Sequence, residues 1–256
     1  MSTLKALIFD VDGTLADTER DGHRVAFNMA FESTGLDWHW SSELYGELLA
    51  VTGGKERIRY YLEKFNTEFS KPDDFDAFVA GLHAAKTGFY TKLMAEGKIP
   101  LRPGVERLIA EARDAGYRIA ISTTTTPENV TALVTDTLGA EALDWFEVIG
   151  AGDIVPLKKP APDIYDYVLK EMNLAPEEAI AFEDSRNGIL SSLNANLTTV
   201  ITTNGYTAED DFSGAAIVLD QMGEPNAPFT LLEGNAHGES HLNLALIEAL
   251  HQSAHG

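Results

Sequence analysis

An apolar run at residues 4–9, Leu-Lys-Ala-Leu-Ile-Phe, stops at Asp10 and Asp12 and turns at Gly13. This junction constrains the fold more than any other stretch. A run so short and so apolar reads as a buried strand. Gly13 lets the chain turn sharply, so both carboxylates are expected at the carboxyl end of that strand, where open α/β sheets bind ligands. Two acids placed there call for a cation, which points to metal-assisted phosphoryl or hydrolytic chemistry.

From Pro103 onward, strands and helices alternate. Strands are predicted at residues 117–121, 146–149, 178–182 and 198–201, and helices at 103–116, 127–137, 162–172 and 187–194. This order predicts an α/β fold with a doubly wound parallel sheet. Residues 18–97 differ: they show helical patterning and no convincing strand. Helices are predicted there at 19–34, 41–50, 54–66 and 72–96, between breaks at Gly35, Gly53-Gly54 and Pro72. An all-helical cap over 18–97 is therefore expected inside a discontinuous core of 1–17 and 98–256. The crossings near Asp17-Thr18 and Lys98-Pro100 would form its hinge. Residues 221–240 are expected to be a loop and 241–251 a short docked helix. His237, His241, His251 and His255 match no metal-ligand spacing.

Composition narrows the function classes. The chain has 40 Asp+Glu against 19 Lys+Arg, a formal charge of -21. Such a surface repels phosphate backbones and anionic lipid, so no nucleic-acid or membrane partner is expected. An anionic substrate then needs a local nest of cations. The absence of cysteine excludes disulfides, thiolate metal sites and cysteine nucleophiles. The first strand begins too early for a leader segment, and no apolar run approaches membrane-spanning length. A soluble cytoplasmic protein is expected.

Four features recur at predicted strand ends: Asp10-Val11-Asp12-Gly13-Thr14, Ser122-Thr123-Thr124-Thr125-Thr126, Lys158-Lys159-Pro160 and Glu183-Asp184-Ser185. Any one of them has an ordinary reading as a helix cap or a solvated pair. Four together exceed what packing requires. A carboxylate attacks a phosphate poorly because both are anionic, and Mg²⁺ between them relieves the repulsion. The Lys159 ammonium and the Thr123 hydroxyl would offset charge on the phosphoryl oxygens. Asp12, two residues from Asp10 on the same strand face, could serve as the second acid, protonating the leaving oxygen and then activating water. Thr14 is expected to hold Asp12.

These residues resemble the four signature motifs of the haloacid dehalogenase superfamily, and the inserted helices resemble the cap of its phosphatase and phosphoglucomutase branch. The resemblance implies a Rossmannoid core and an aspartyl-phosphate mechanism. By position, Asp10 would be the nucleophile and Asp12 the general acid/base, with Thr123 and Lys159 binding the phosphoryl group. Mg²⁺ would be held by Asp10, the backbone carbonyl of Asp12 and Asp184, with Glu183 supporting it through water. Thr124 and Asn187, beside the second and fourth motifs, are further candidate substrate contacts.

Within the cap, Asp17-Thr18-Glu19-Arg20-Asp21-Gly22-His23-Arg24, Leu44-Tyr45-Gly46-Glu47-Leu48-Leu49 and Gly53-Gly54-Lys55-Glu56-Arg57 resemble the CbbY-type sugar phosphatases. That likeness implies a small-molecule sugar bisphosphate substrate, xylulose-1,5-bisphosphate above all, whose 1-phosphate is removed to clear an inhibitor of Rubisco. A second phosphate needs its own cationic cradle. Lys55 and Arg57 after the Gly-Gly turn, with Lys86, are the candidates, while Glu19 and His23 could face sugar hydroxyls. A monomer is expected. The alternatives are a β-phosphoglucomutase-like phosphohexomutase and a phosphatase for another small phosphorylated metabolite. A receiver domain would leave the cap and Asp12 unexplained, and a halide leaving group would not need the proton Asp12 supplies.

Overall fold

The computed structural model describes residues 3–97 and 99–256. The expected hinge residue Lys98, which also begins the second core segment, lies outside them. The strands β1 (Ala6–Phe9), β2 (Arg118–Ser122), β3 (Phe146–Gly150), β4 (Ala179–Glu183), β5 (Thr198–Thr202), β6 (Ile217–Leu219) and β7 (Leu231–Gly234) form one sheet in the order 3-2-1-4-5-6-7. All neighbouring pairs are parallel except the antiparallel β6–β7 pair. β1 lies between β2 and β4, with Phe9 level with Ile121 and Phe182. Strand order reverses there, so the carboxyl ends of β1 and β4 flank the crevice where such sheets take their ligands.

Side-chain alternation explains both faces. Leu7, Phe9, Ile119, Ile121, Ile180 and Phe182 point into one core layer. That layer is covered by α5 (Val105–Asp114), α6 (Pro127–Leu138) and α9 (Leu244–His255). The opposite face carries Ala6, Ala120, Ala179 and Ala181, and these small side chains let α7 (Asp163–Met172) approach closely through Tyr165 and Val168. The fold class is the doubly wound α/β core expected from the alternation of elements.

Between β1 and β2 lie α1 (Arg24–Ser33), α2 (Ser42–Leu48), α3 (Gly54–Lys64) and α4 (Phe75–Ala95). They enclose a second apolar cluster rich in aromatic rings, with Trp40 packed on Phe27, Phe31 and Tyr61 at centroid distances of 4.6, 4.9 and 5.4 Å. α4 serves both clusters. Val79 and Leu82 near its start pack in the helical block, and Tyr90 and Met94 near its end join the sheet core.

Several boundaries differ from expectation for identifiable reasons. α4 starts at Phe75 because the Asp74 carboxylate accepts a bond from the Ala77 amide at 3.0 Å, a side-chain cap. Residues 19–23 form a π-helical turn instead of the first turn of a regular helix. Gly22 is needed there, since a Cβ would meet Ile99 at 2.7 Å and Tyr90 at 3.0 Å. The region expected to be a loop, 221–240, contains the edge strand β7. Its Leu231 and Leu232 are exposed, so no alternation announces it. The final helix begins at Leu244, capped by Asn243 through the Leu246 amide at 2.9 Å. Among the described residues, no helix is long and apolar enough to cross a membrane.

Trp40 is fully buried at the centre of the aromatic cluster. Trp40→Ala is expected to cost about 3–5 kcal/mol, read as a lowered urea midpoint followed by tryptophan fluorescence and circular dichroism.

Candidate functional site

At the end of β1, the Asp10 amide still donates to Phe182 at 3.0 Å, so its carboxyl leaves the sheet edge from a fixed base. Gly13 then adopts φ +87°, a left-handed conformation that glycine takes without a Cβ clash. Its surroundings demand the same residue: a Cβ would stand 2.1 Å from Asp184 Oδ2 and 2.7 Å from Asn204 Nδ2. The turn therefore presses its bare backbone against a carboxylate from β4's end.

Lys159 reaches this point from the loop after β3. Its ammonium donates to Asp10 Oδ1 at 2.6 Å, Glu183 Oε1 at 2.6 Å and the Ser122 carbonyl at 2.9 Å. Burial alone would lower the lysine's pKa, but attraction to Asp10 and Glu183 outweighs it and holds the ammonium charged. Tyr165 donates its hydroxyl to the same Glu183 oxygen at 2.6 Å. Asp10, Glu183 and Asp184 are all buried, and each offers an oxygen within 4.8 Å of the others.

One ammonium cannot neutralise three carboxylates. Burial, opposed by Lys159 and reinforced by Glu183, pushes Asp10 up to about 8. Burial and the negative charges of Asp10 and Glu183 also push Asp184 far above the ordinary carboxylate range. Glu183 Oε2 is buried without a hydrogen-bond partner. An all-oxygen, charge-deficient cage of this kind fits a hard divalent cation. Asn204 orients it by donating to Asp184 Oδ2 at 2.6 Å.

Asp12 turns its side chain the other way. Its Oδ1 accepts from Thr18 Oγ1 at 2.5 Å and lies 2.7 Å from His23 Nε2. His23 Nδ1 is 2.6 Å from the Lys86 ammonium, which can only donate. Nδ1 is therefore the acceptor, and the proton of the neutral ring sits on Nε2, directed at Asp12. Burial would raise Asp12, but its interaction with His23 outweighs it, helped by Thr18 and the positive charge of Lys86, and the carboxyl is held well below its usual range. Lys86 is lowered to about 8 by burial, against the pull of Asp12 and Glu19.

One expectation is corrected here. Thr14 does not hold Asp12: its hydroxyl is buried without a partner, and Thr18 bonds the carboxylate instead. His23 and Lys86, expected at sugar hydroxyls and in a phosphate cradle, form a chain with Asp12. The π-helical turn positions His23 for this, and stacking on Tyr90 at 4.3 Å steadies the ring.

A cleft of about 420 Å³ opens beside the carboxylates. Thr123 and Thr124 line it from β2's end, and Glu19 and Arg57 line it from the helical block. The Tyr45 hydroxyl donates to Glu19 Oε2 at 2.5 Å and accepts from Arg57 Nη1 at 2.6 Å, so the pair is fixed in place. Asn187, at the start of α8 (Arg186–Asn194), lines the same cleft while donating to Thr52 Oγ1 at 3.0 Å. Lys55 is set apart: it donates to Asp153 at 2.6 Å and borders a smaller recess with His83 and Lys86. Arg57 is the cation of this helix that lines the main cleft.

Sequence reasoning gave no role to Thr18, Tyr45 or Tyr165, and did not single out Arg186, Asn204 and Tyr206, which line the cleft. Asn204 had a usable signal, since it follows the carboxyl end of β5 as the other motifs follow theirs. Tyr165 had none: an aromatic in an amphipathic helix reads as core.

A family model for haloacid dehalogenase-like hydrolases matches residues 4–196. The protein CbbY (plasmid) of Cupriavidus necator is 44% identical over 249 residues, covering 97% of each chain. Among solved structures, a mutant CbbY from Rhodobacter sphaeroides in complex with xylulose-(1,5)bisphosphate superposes with a TM-score of 0.79 at 46% identity, over 86% of this chain and 95% of that one. A β-phosphoglucomutase from Clostridium difficile shares the fold, with a TM-score of 0.73 at 21% identity over 98% of each chain.

Gly13→Ala is expected to cost about 1–3 kcal/mol from backbone strain alone, with displacement of Asp184 adding to it. Gly205→Ala, where nothing lies within 4 Å of a new Cβ, should leave the denaturation midpoint nearly unchanged, and comparing the two curves checks the assignment.

Proposed function

The chain belongs to the haloacid dehalogenase-like hydrolases, among their CbbY-type phosphatases, and we propose that it hydrolyses xylulose-1,5-bisphosphate to xylulose 5-phosphate with Mg²⁺. The observation that carries this reading is the Lys159–Asp10 contact of 2.6 Å inside the three-carboxylate cluster, beside a cleft walled by Glu19 and Arg57. The cation would be held by Asp10, Asp184 and the backbone carbonyl of Asp12, with Glu183 behind; when bound, it supplies positive charge that lets an anionic nucleophile meet a phosphate.

Asp10 keeps one oxygen on Lys159, which fixes the carboxylate, and attacks phosphorus with the other. The P–O bond to the sugar breaks as the Asp10–phosphorus bond forms. Lys159 and the Thr123 hydroxyl stabilise charge on the phosphoryl oxygens. Asp12 gives a proton to the leaving sugar oxygen and then takes one from the water that cleaves the acyl phosphate. The contacts of Asp12 with Thr18 and His23 favour its ionised form, which is the form needed for the second step. Proton donation in the first step requires a protonated carboxyl, so substrate entry has to weaken those contacts.

The distal phosphate falls to Arg57, whose Nε is buried without a partner, and to Arg186 and Asn187 across the cleft. Glu19, fixed by Tyr45, faces the sugar hydroxyls. Residues 18–97 act in this scheme as a cap over a core of 1–17 and 98–256. Both walls of the cleft come from one chain, which suits a monomer working on a small cytoplasmic metabolite.

Phosphate release from xylulose-1,5-bisphosphate should require Mg²⁺, far exceed that from ribulose-1,5-bisphosphate, and proceed without a bisphosphate primer. Asp10→Asn should keep the fold and lose turnover by at least about a hundredfold. Substantial hydrolysis by that variant, or equal rates on the two sugars, would overturn the assignment. A pH–rate profile supplies a second check. As pH rises through about 8, Lys86 gives up its proton and Asp12 loses a supporting positive charge. Activity should therefore fall on the alkaline side near pH 8, and Lys86→Met should remove that limb while lowering the plateau.

A further inference from the structure

Arg102 is a buried cation outside the chemistry described above. It lies on the segment that returns from the helical block, where Leu101 bridges to Ala16 and the Arg102 amide donates to Leu15 at 2.8 Å. Its guanidinium gathers carbonyls from three separate places. Nη1 donates to the Gly13 carbonyl and to Thr202 O at 3.1 Å. Nη2 donates to Thr203 O at 2.5 Å and Asp220 O at 2.8 Å. Nε lies 3.4 Å from the hinge carboxylate Asp17.

These partners form the two sides of the slot that holds Asp184. On one side, Gly13 presses its backbone against Asp184 Oδ2. On the other, Asn204 follows Thr203 directly and donates to that same oxygen. Any separation of Gly13 from Thr203 would widen the slot and turn the Asp184 carboxylate. A planar fork of five donors suits such a junction because each N–H has a fixed direction, whereas an ammonium would leave several carbonyls unpaired.

We propose that Arg102 is a positioning residue that sets the Asp184 side of the cation site, joining the hinge and the motif turn to the end of β5. The inference rests on the proposed Mg²⁺ reading. Partners that orient a metal ligand typically account for about 10–100-fold in metal affinity.

The test is calorimetric titration of Mg²⁺ into the full-length protein, without substrate, alongside thermal denaturation. Arg102→Met should bind Mg²⁺ about 10–100-fold more weakly, and Arg102→Lys should fall between it and the parent. Arg107→Met is the control. Arg107 also donates to a backbone carbonyl, that of Gly223, and pairs with Glu224, yet makes no contact with the Gly13 turn. It should lose thermal stability and keep the parental Mg²⁺ affinity. A folded Arg102→Met with parental affinity, or an equal loss in Arg107→Met, would overturn the proposal. If Arg102→Met fails to fold, Arg102→Lys decides: unchanged affinity in that variant is equally fatal. A parent chain that binds no Mg²⁺ would instead overturn the cation reading, and this inference with it.

Discussion

Everything at the site follows from placing carboxylates where the sheet cannot hydrate them. Asp10, Glu183 and Asp184 are buried at the ends of adjacent strands, and Lys159 is the ammonium among them. Isolated buried charges are costly, and removing one partner of a buried pair leaves the other uncompensated. The local answer is dense pairing: Lys159 bridges two acids, Tyr165 caps one and Asn204 another. What remains is an excess of negative charge that a divalent ion relieves. That excess of negative charge is what fits the cluster to a small, hard cation.

The core was legible in the chain because its signals are local. Apolar runs of strand length end in polar residues, helices follow, and the order of elements admits few topologies. The four motif positions could be placed for the same reason, since each adjoins a recognisable strand end. The partners of Asp12 were not legible in this way. Thr18, His23 and Lys86 sit 6, 11 and 74 residues beyond it and meet only through packing of the helical block on the core. His23 also depends on a π-helical turn that leaves no periodic trace in so short a stretch. The edge strand β7 escaped because both its leucines face solvent.

Charge placement explains why a strongly acidic chain can present a site for an anion. Three buried cations stand where the geometry uses them: Lys159 at the carboxylates, Arg57 over Tyr45 at 5.1 Å, and Lys86 behind His23. Lys55 and Lys158 both meet Asp153, at 2.6 and 2.9 Å, tying α3 to the loop that carries Lys159. The approach to the cleft is therefore governed by a few buried cations while the surrounding surface repels larger polyanions.

α4 has its first half in the aromatic cluster and its last turns in the sheet core, with Lys86 between them. One helix thus spans both apolar clusters, so the packing of its first half is linked to the Lys86 ammonium and, through His23, to Asp12.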